Sequence, residues 1–437
     1  MPARAAQQPR SDRGGRRSPA AADRIEVTTL PTGLRIVTEQ MPAAHSVAAG
    51  VWVGVGARDE VAQHSGVSHF LEHLLFKGTQ QRSARAIAEA VDRVGGDMNA
   101  FTTKEYTAYY TRLPATELAL GIELLGDVLT QPALRDTDIE NERQVILEEL
   151  LMDDDSPEDR VHTLTFESLF PAHALGRETA GAKDTVAALP ADAVRAFFHA
   201  WYRPSAMVAA VAGPVDHCEV VELFSAAFAG ADGSVPSPLR QPPGHPVRPL
   251  AVQRRSTEQA HLSVGFRGVP RDDPDREALD VVNHVLGGGM SSRLFEEVRE
   301  KRGLAYSVYS SPVSYADAGA LTIYAGTHPG AVHEVLDLVD AELDRLRRDG
   351  LTDEELDVAR GYLAGAFLLG LEDTSSRMAR LGGSLTTLGR IRPVEEQVAR
   401  WRNVDHHDVR RVIARVLAGP RTLAAVGPVT KKSLAAR

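Results

Sequence analysis

From residue 24 onward, short runs rich in β-branched residues alternate with longer stretches whose apolar side chains recur every three or four positions. Arg35-Ile36-Val37-Thr38 and Ser46-Val47-Ala48-Ala49-Gly50-Val51-Trp52-Val53 read as strands. Residues 66–76 form an apolar run with no proline and no internal glycine, which predicts a helix capped by Ser65 or Ser68. A second amphipathic helix over residues 83–94 is stopped by Gly95-Gly96. Residues 97–102 and 107–112 predict a strand pair. Pro114 opens a helix running to about residue 129, a longer one spans about 136–152, and residues 201–212 close the segment as strand.

Residues 230–249 are rich in Pro, Gly and Ser and read as a linker. Beyond it the pattern repeats. Tyr109-Tyr110-Thr111-Arg112-Leu113-Pro114 is echoed by residues 322–329, each leading into an amphipathic helix, and residues 134–150 resemble 351–367 with Arg143 falling on Arg360. Val-Ala-Gly-Pro-Val-Asp (211–216) and Ala-Val-Gly-Pro-Val-Thr (425–430) end the two copies alike. An internal duplication explains these matches: two tandem homologous α+β domains, 24–229 and 250–437, each a mixed or antiparallel sheet with helices packed on it. No Rossmann or P-loop signature interrupts them.

At 437 residues the chain is too long for one ordinary core, which agrees with two domains. The formal charge of −10 disfavours nonspecific nucleic-acid binding and mildly favours basic ligands. Cys218 is the only cysteine, so intrachain disulfides and Cys-rich metal sites are excluded, and a reducing, cytoplasmic setting is expected. No apolar run approaches the ~20 residues that a membrane-spanning helix needs. Residues 1–23 are Arg-rich and acid-poor, but Pro2, Pro9, Gly14 and Gly15 spoil an amphipathic helix and there is no apolar core of a secretory signal. A disordered basic tail is the expectation there, favoured over a mitochondrial-matrix presequence.

The chemistry gathers in the helix at 66–76. His69, Glu72 and His73 occupy positions i, i+3 and i+4 and so share one face, leaving Phe70, Leu71, Leu74 and Leu75 to pack elsewhere. Two imidazoles one turn apart can hold the same zinc ion, with Zn–N bonds of about 2.0–2.1 Å. A carboxylate beside them can take a proton from water activated by the metal. The spacing is His-x-x-Glu-His, the inverted form of the better-known zincin motif. A catalytic zinc usually takes a third protein ligand. The best source is the helix at 136–152, which carries Glu140, Glu142, Glu148 and Glu149 around an apolar face set by Ile139, Val145, Ile146 and Leu150. Glu142 and Glu149 lie two turns apart on one face, so one can bind metal while the other supports the site. Spacing alone does not separate Glu148 from Glu149.

His69–His73 followed by Glu142-Arg143-Gln144-Val145-Ile146-Leu147-Glu148-Glu149 resembles the pitrilysin family of zinc peptidases, most closely its short bacterial members related to the mitochondrial processing peptidase. The resemblance covers the chain from about residue 25 onward. It implies one zinc per chain held by His69, His73 and Glu149, with Glu142 as the supporting carboxylate and Glu72 as the base. Residues 95–102 are similar to the family's edge strand, where an extended peptide adds as a further strand, and Asn99 and Ala100 are the positions carried over. Residues 291–306 are similar to its Arg/Tyr segment, which makes Arg299 and Tyr306 the pair reaching the site from the second domain. The second copy departs from the metal pattern: Asp280-Val281-Val282-Asn283-His284 replaces the pentad and Ala366 falls opposite Glu149, so His284 is expected to be structural.

The resemblance therefore implies a metalloendopeptidase of extended or presequence-like peptides, working as a homodimer, with a heterodimer as the other arrangement. The alternative is a noncatalytic assembly subunit of a two-chain peptidase or a respiratory core complex. The acidic stretch 153–159 reads first as a solvated loop. Alternatively, Asp159 contributes to binding basic residues of the substrate.

Overall fold

The computed structural model describes residues 25–231, 233–244 and 246–435. The tail expected at 1–23 lies outside them. The chain forms two α+β halves, each a mixed sheet packed by helices. In the first half, β1 (Ile25–Thr29), β2 (Arg35–Gln40), β3 (Ser46–Val53), β4 (Asp97–Thr102), β5 (Thr107–Pro114) and β6 (Met207–Gly213) lie in the order β1-β2-β6-β3-β5-β4. Only β2 and β6 run parallel. In the second half, β7 (Leu250–Arg254), β8 (Ala260–Arg267), β9 (Ala305–Ser314), β10 (Gly319–Thr327) and β11 (Arg421–Gly427) lie in the order β7-β11-β8-β10-β9. There the one parallel pair is β7 and β11. Parallel pairing thus falls at the same place in both sheets, and the strand carrying the repeated Gly-Pro ending, β6 or β11, fills the same slot.

Strand β3 explains how the two halves are joined. Its side chains alternate between two faces, yet nearly all are buried, because each face is covered. Val47, Ala49, Val51 and Val53 enter the core of their own half. Ala48 and Trp52 join Val37, Ala108 and Val208 on the opposite face. The cover on that face is a helix from the other half, Thr374–Leu388, through Met378, Leu381 and Leu385. The exchange is reciprocal. Helix Pro157–Leu169 of the first half places Val161 and Leu164 on Ala251, Tyr324, Ala424 and Val426 of the second sheet. Close approach is set by glycine at both contacts. A Cβ on Gly382 would fall 2.1 Å from Trp52 Cε3, and one on Gly265 would fall 2.8 Å from Thr165 Cγ2. Glu39, fully buried under the first contact, is neutralised by Arg377 at 2.5 Å and Arg380 at 3.5 Å, both from the exchanged helix.

A second clasp gathers at the β4–β5 turn. Glu105 accepts from Arg58 at 2.8 Å, from Arg271 at 2.6 Å and from the Ala316 N–H at 3.0 Å, the last two belonging to the second half. Arg58 also reaches Asp317 at 2.7 Å. Burial alone pushes the Glu105 carboxyl up, but Arg271, the Ala316 N–H and Arg240 outweigh it and hold the group below the usual carboxylate range. The Pro/Gly/Ser-rich stretch has neither helix nor strand among its described residues, but it is anchored: Arg240 pairs with Asp59 at 2.8 Å and donates to the Glu105 carbonyl at 2.7 Å.

Several expected elements moved. Residues 201–206 are not strand: helix Ala191–Trp201 runs through the aromatic cluster and β6 begins only at Met207. Phe197, Phe198, Trp201 and Tyr202 have high strand propensity, but here they pack as a helix against the first core. The acidic stretch 153–159 is not a loop. Asp153–Asp155 finish helix Asp136–Asp155, Ser156 caps the next helix by accepting from the Asp159 N–H, and Glu158 and Asp159 occupy that helix's first turn. Acidic residues there complement the helix dipole.

Candidate metal centre

The pentad lies on helix Val67–Leu75. Phe70, Leu71, Leu74 and Leu75 are buried in the first core, which turns His69, Glu72 and His73 toward the opposite side. Neither serine caps this helix. Gly66 is the N-cap, at φ 101°, and the Glu60 carboxylate supplies the missing acceptor, taking the N–H of Gly66 at 2.8 Å and of Ser68 at 2.7 Å. A Cβ at position 66 would fall 2.6 Å from the Ala180 carbonyl oxygen, so only glycine fits. Burial raises the Glu60 carboxyl to about 7 although both N–H groups oppose the shift.

Helix Asp136–Asp155 lies against this one and brings Glu149 over the two histidines. Glu149 Oε2 is 3.6 Å from His73 Nε2 and 4.0 Å from His69 Nε2. Three ligand atoms around a tetrahedral zinc would stand about 3.3 Å apart, from Zn–N and Zn–O bonds near 2 Å. His69, His73 and Glu149, one ligand atom each within 4.8 Å of the others, therefore fit a metal ion with little movement. The surroundings fit too. Glu142 Oε2 faces His73 Nδ1 at 3.2 Å, so a proton on Nδ1 leaves the Nε2 lone pair free for metal. Lys77 holds the other Glu142 oxygen at 2.6 Å. Burial, then His73 beside it, lowers the His69 imidazole to about 4, so that this ring is neutral and can donate a lone pair. Glu148, the other candidate from spacing, is exposed.

Glu72 is half-buried beside the cluster. Burial raises its carboxyl above the ordinary value against the opposing pull of the Thr102 hydroxyl, and the Glu149 charge adds to the rise. Thr102 Oγ1 donates to Glu72 Oε2 at 2.5 Å. Thr102 ends β4, the outermost strand of its sheet, so Asn99 and Ala100 lie on an edge that no other strand among the described residues covers. The Ala100 N–H is taken by Asn99 Oδ1 at 2.8 Å.

A cleft of about 1000 Å³ opens next to the cluster, lined among others by Lys104, Leu150, Asp153, Asp159, Phe166 and Glu178. Burial and then Asp159, Glu178 and Glu149 push the Asp153 carboxyl up, while Lys104, Arg160, Arg177, Lys183 and Arg248 line the same cleft. Arg299 and Tyr306 meet each other, the guanidinium 4.9 Å from the ring centre, and Arg299 also covers Phe295 at 4.7 Å. Tyr306 is 79% exposed, and among the described residues neither of the pair bonds to the histidines or to Glu149. His284 is buried and stacked on Tyr362 at 4.1 Å.

The sequence reading missed Glu60, Lys77 and Thr102. Lys77 had a signal, standing one turn beyond His73 on the same face. Glu60 had none, because a cap supplied from outside the helix leaves no local pattern. Helix Asp136–Asp155 also packs differently from its apolar pattern: Val145 is exposed, while Glu142 and Arg143 are buried. Both charges are paired where they lie, Glu142 by Lys77 and Arg143 by Glu140 and the Val186 carbonyl.

Two α+β halves, one of them carrying a His/His/Glu cluster that can hold a metal ion, define the class of protein. Residues 35–183 match the family Insulinase (Peptidase family M16), and residues 188–363 match the Peptidase M16 inactive domain. An uncharacterized zinc protease of Streptomyces coelicolor is 46% identical over 420 residues, covering 93% of this chain and 90% of that protein. Another from Mycobacterium tuberculosis is 44% identical over 421 residues, covering 95% and 96%. The crystal structure of a protease from Helicobacter pylori shares the fold, with a TM-score of 0.87 at 24% identity over 92% of this chain and 99% of that one. The chain belongs to peptidase family M16. No described helix is long and apolar enough to cross a membrane.

Proposed function

We propose that this chain is a zinc-dependent endopeptidase, related to processing peptidases, that cleaves extended, basic, presequence-like peptides. The observation carrying this reading is the convergence of His69, His73 and Glu149 on one point with Glu72 beside them. One zinc per chain would be held by those three ligands. When bound, zinc supplies a Lewis acid that polarises water and the scissile carbonyl. Glu72 accepts a proton from the attacking water as its oxygen bonds to the carbonyl carbon. It then delivers that proton to the amine nitrogen as the C–N bond breaks. Burial raises its carboxyl above the ordinary value, the direction that favours taking up a proton. His73 is kept in the metal-binding tautomer by Glu142. Arg299 and Tyr306 would serve in oxyanion or substrate contact once a peptide is bound.

Purified with zinc, the chain should carry one equivalent by mass spectrometry and cleave a quenched basic peptide. A chelator should abolish cleavage and added zinc restore it. Cleavage that survives complete zinc removal would refute the reading.

The substrate would enter as an added strand on β4, its carbonyl replacing Asn99 Oδ1 at the Ala100 N–H. Basic residues would be drawn by Asp153 and Asp159, exposed carboxylates on the cleft. Asp159→Asn should therefore raise KM for a basic peptide by about two- to five-fold, the worth of one exposed charge pair. KM for a neutral peptide of the same length should stay put; an equal change in both would remove the electrostatic role. Two chains pairing around the cleft is the arrangement we favour, and the mass in solution measured beside the assay checks it.

A further inference from the structure

Carboxylate bases are effective when one oxygen is fixed and the other is turned to the proton it must take, and a free glutamate side chain has several rotamers to choose among. Around Glu72 the described residues divide the two oxygens unequally. Oε2 receives the Thr102 hydroxyl at 2.5 Å and the Thr102 N–H also bears on the carboxylate, while among the described residues no side chain donates to Oε1. Thr102 itself is held hard. It is the last residue of β4, paired with Thr107 across the ladder, and its β-branched side chain has restricted χ1 freedom. Directly after it the turn is closed by Thr103, whose N–H and hydroxyl both donate to the Tyr106 carbonyl at 2.8 Å. The same hydroxyl oxygen accepts from the N–H groups of Glu105 and Tyr106 at 3.2 and 3.1 Å. From outside, the turn is braced by Ala57 N–H on the Thr103 carbonyl at 3.0 Å and by Arg58, Arg271 and Ala316 on Glu105.

The middle of this short strand, at Asn99 and Ala100, lies on the outer edge of the sheet formed by the described strands. Ala100 and Thr102 are two residues apart and so share one face of the strand. We propose that Thr102 is the positioning residue for Glu72: its hydroxyl pins one carboxylate oxygen so that the other is presented to water at the metal cluster. The strand that would receive the peptide thereby also sets the base, and the second half reaches the chemistry through its grip on the turn. The inference rests on the peptidase reading above.

The test compares Thr102→Val, which keeps the shape and loses the hydroxyl, with Thr102→Ser, which keeps the hydroxyl. Thr102→Val should lower kcat for the quenched basic peptide by about 10–100-fold, the usual effect of removing a group that orients an active-site residue. KM, the zinc content, and the affinity of the metal-free protein for the same peptide by fluorescence anisotropy should stay at wild-type values. Thr102→Ser should restore most of the lost kcat. A Thr102→Val enzyme with wild-type kcat overturns the proposal and leaves the peptidase reading intact. So does one whose zinc content or peptide affinity falls along with kcat, or a Thr102→Ser enzyme no better than Thr102→Val, since a merely structural role would give those results. A zinc-loaded wild type that leaves the peptide uncut overturns the peptidase reading, and this proposal falls with it.

Discussion

Glu72→Gln should lower kcat/KM for a quenched basic peptide by about three orders of magnitude or more, with zinc content unchanged. Gln has the size of Glu and can still accept from Thr102, so the helix, the two histidines and the approach of Glu149 are left in place. What is lost is the lone capacity to take a proton from water and return it to the departing amine. The comparison needs both proteins loaded with zinc and assayed side by side. Equal activity would mean a contaminating protease or a mechanism that does not use this carboxylate. If neither cleaves, the noncatalytic assembly subunit becomes the better reading, and a second chain should be sought.

On the stability side the largest effect is expected at the contact between the first sheet and the helix it borrows. Trp52→Ala should cost about 3–5 kcal/mol, because the indole is buried against Met378, Leu381 and Leu385 and a cavity would replace it. Gly382→Ala, in wild type, adds a methyl where the ring already stands 2.1 Å from the ideal Cβ position. Overpacking of about 1–3 kcal/mol there exceeds the gain of about 1 kcal/mol in helix propensity. In the Trp52→Ala background the clash is gone, so Gly382→Ala should turn neutral or stabilising. Urea unfolding of the four proteins reads this change of sign, and additive costs would show that the two residues do not share the contact.

Much of the site was legible because its chemistry follows helix periodicity. His69, Glu72 and His73 project together wherever that segment is helical, and the apolar residues between them predict the helix. The third ligand was harder. Glu148 and Glu149 are neighbours, and only the phase of the helix in its packed position turns Glu149 toward the histidines and Glu148 to solvent. That phase is set by Ile139 and Ile146 together with the buried, paired Glu142 and Arg143, charges that a hydrophobic pattern counts as exposed. The duplication could be read from matched endings and matched helices. The reciprocal placement of helices Pro157–Leu169 and Thr374–Leu388 could not, since an apolar stripe states that a helix will be covered and not by which sheet. Thr102 was hidden for a similar reason: its partner is thirty positions away in sequence and arrives through the sheet.

Synthesis runs from the N-terminus, so the borrowed helix at Thr374–Leu388 is among the last parts of the chain to be made. Until it arrives, the outer face of the first sheet, with Val37, Ala48, Trp52, Ala108 and Val208, has no cover from its own half among the described residues, and Glu39 has neither of its arginine partners. The growing chain therefore carries a sticky, half-finished surface through most of its translation. Completion of the half that carries the His/His/Glu cluster is timed by the other half.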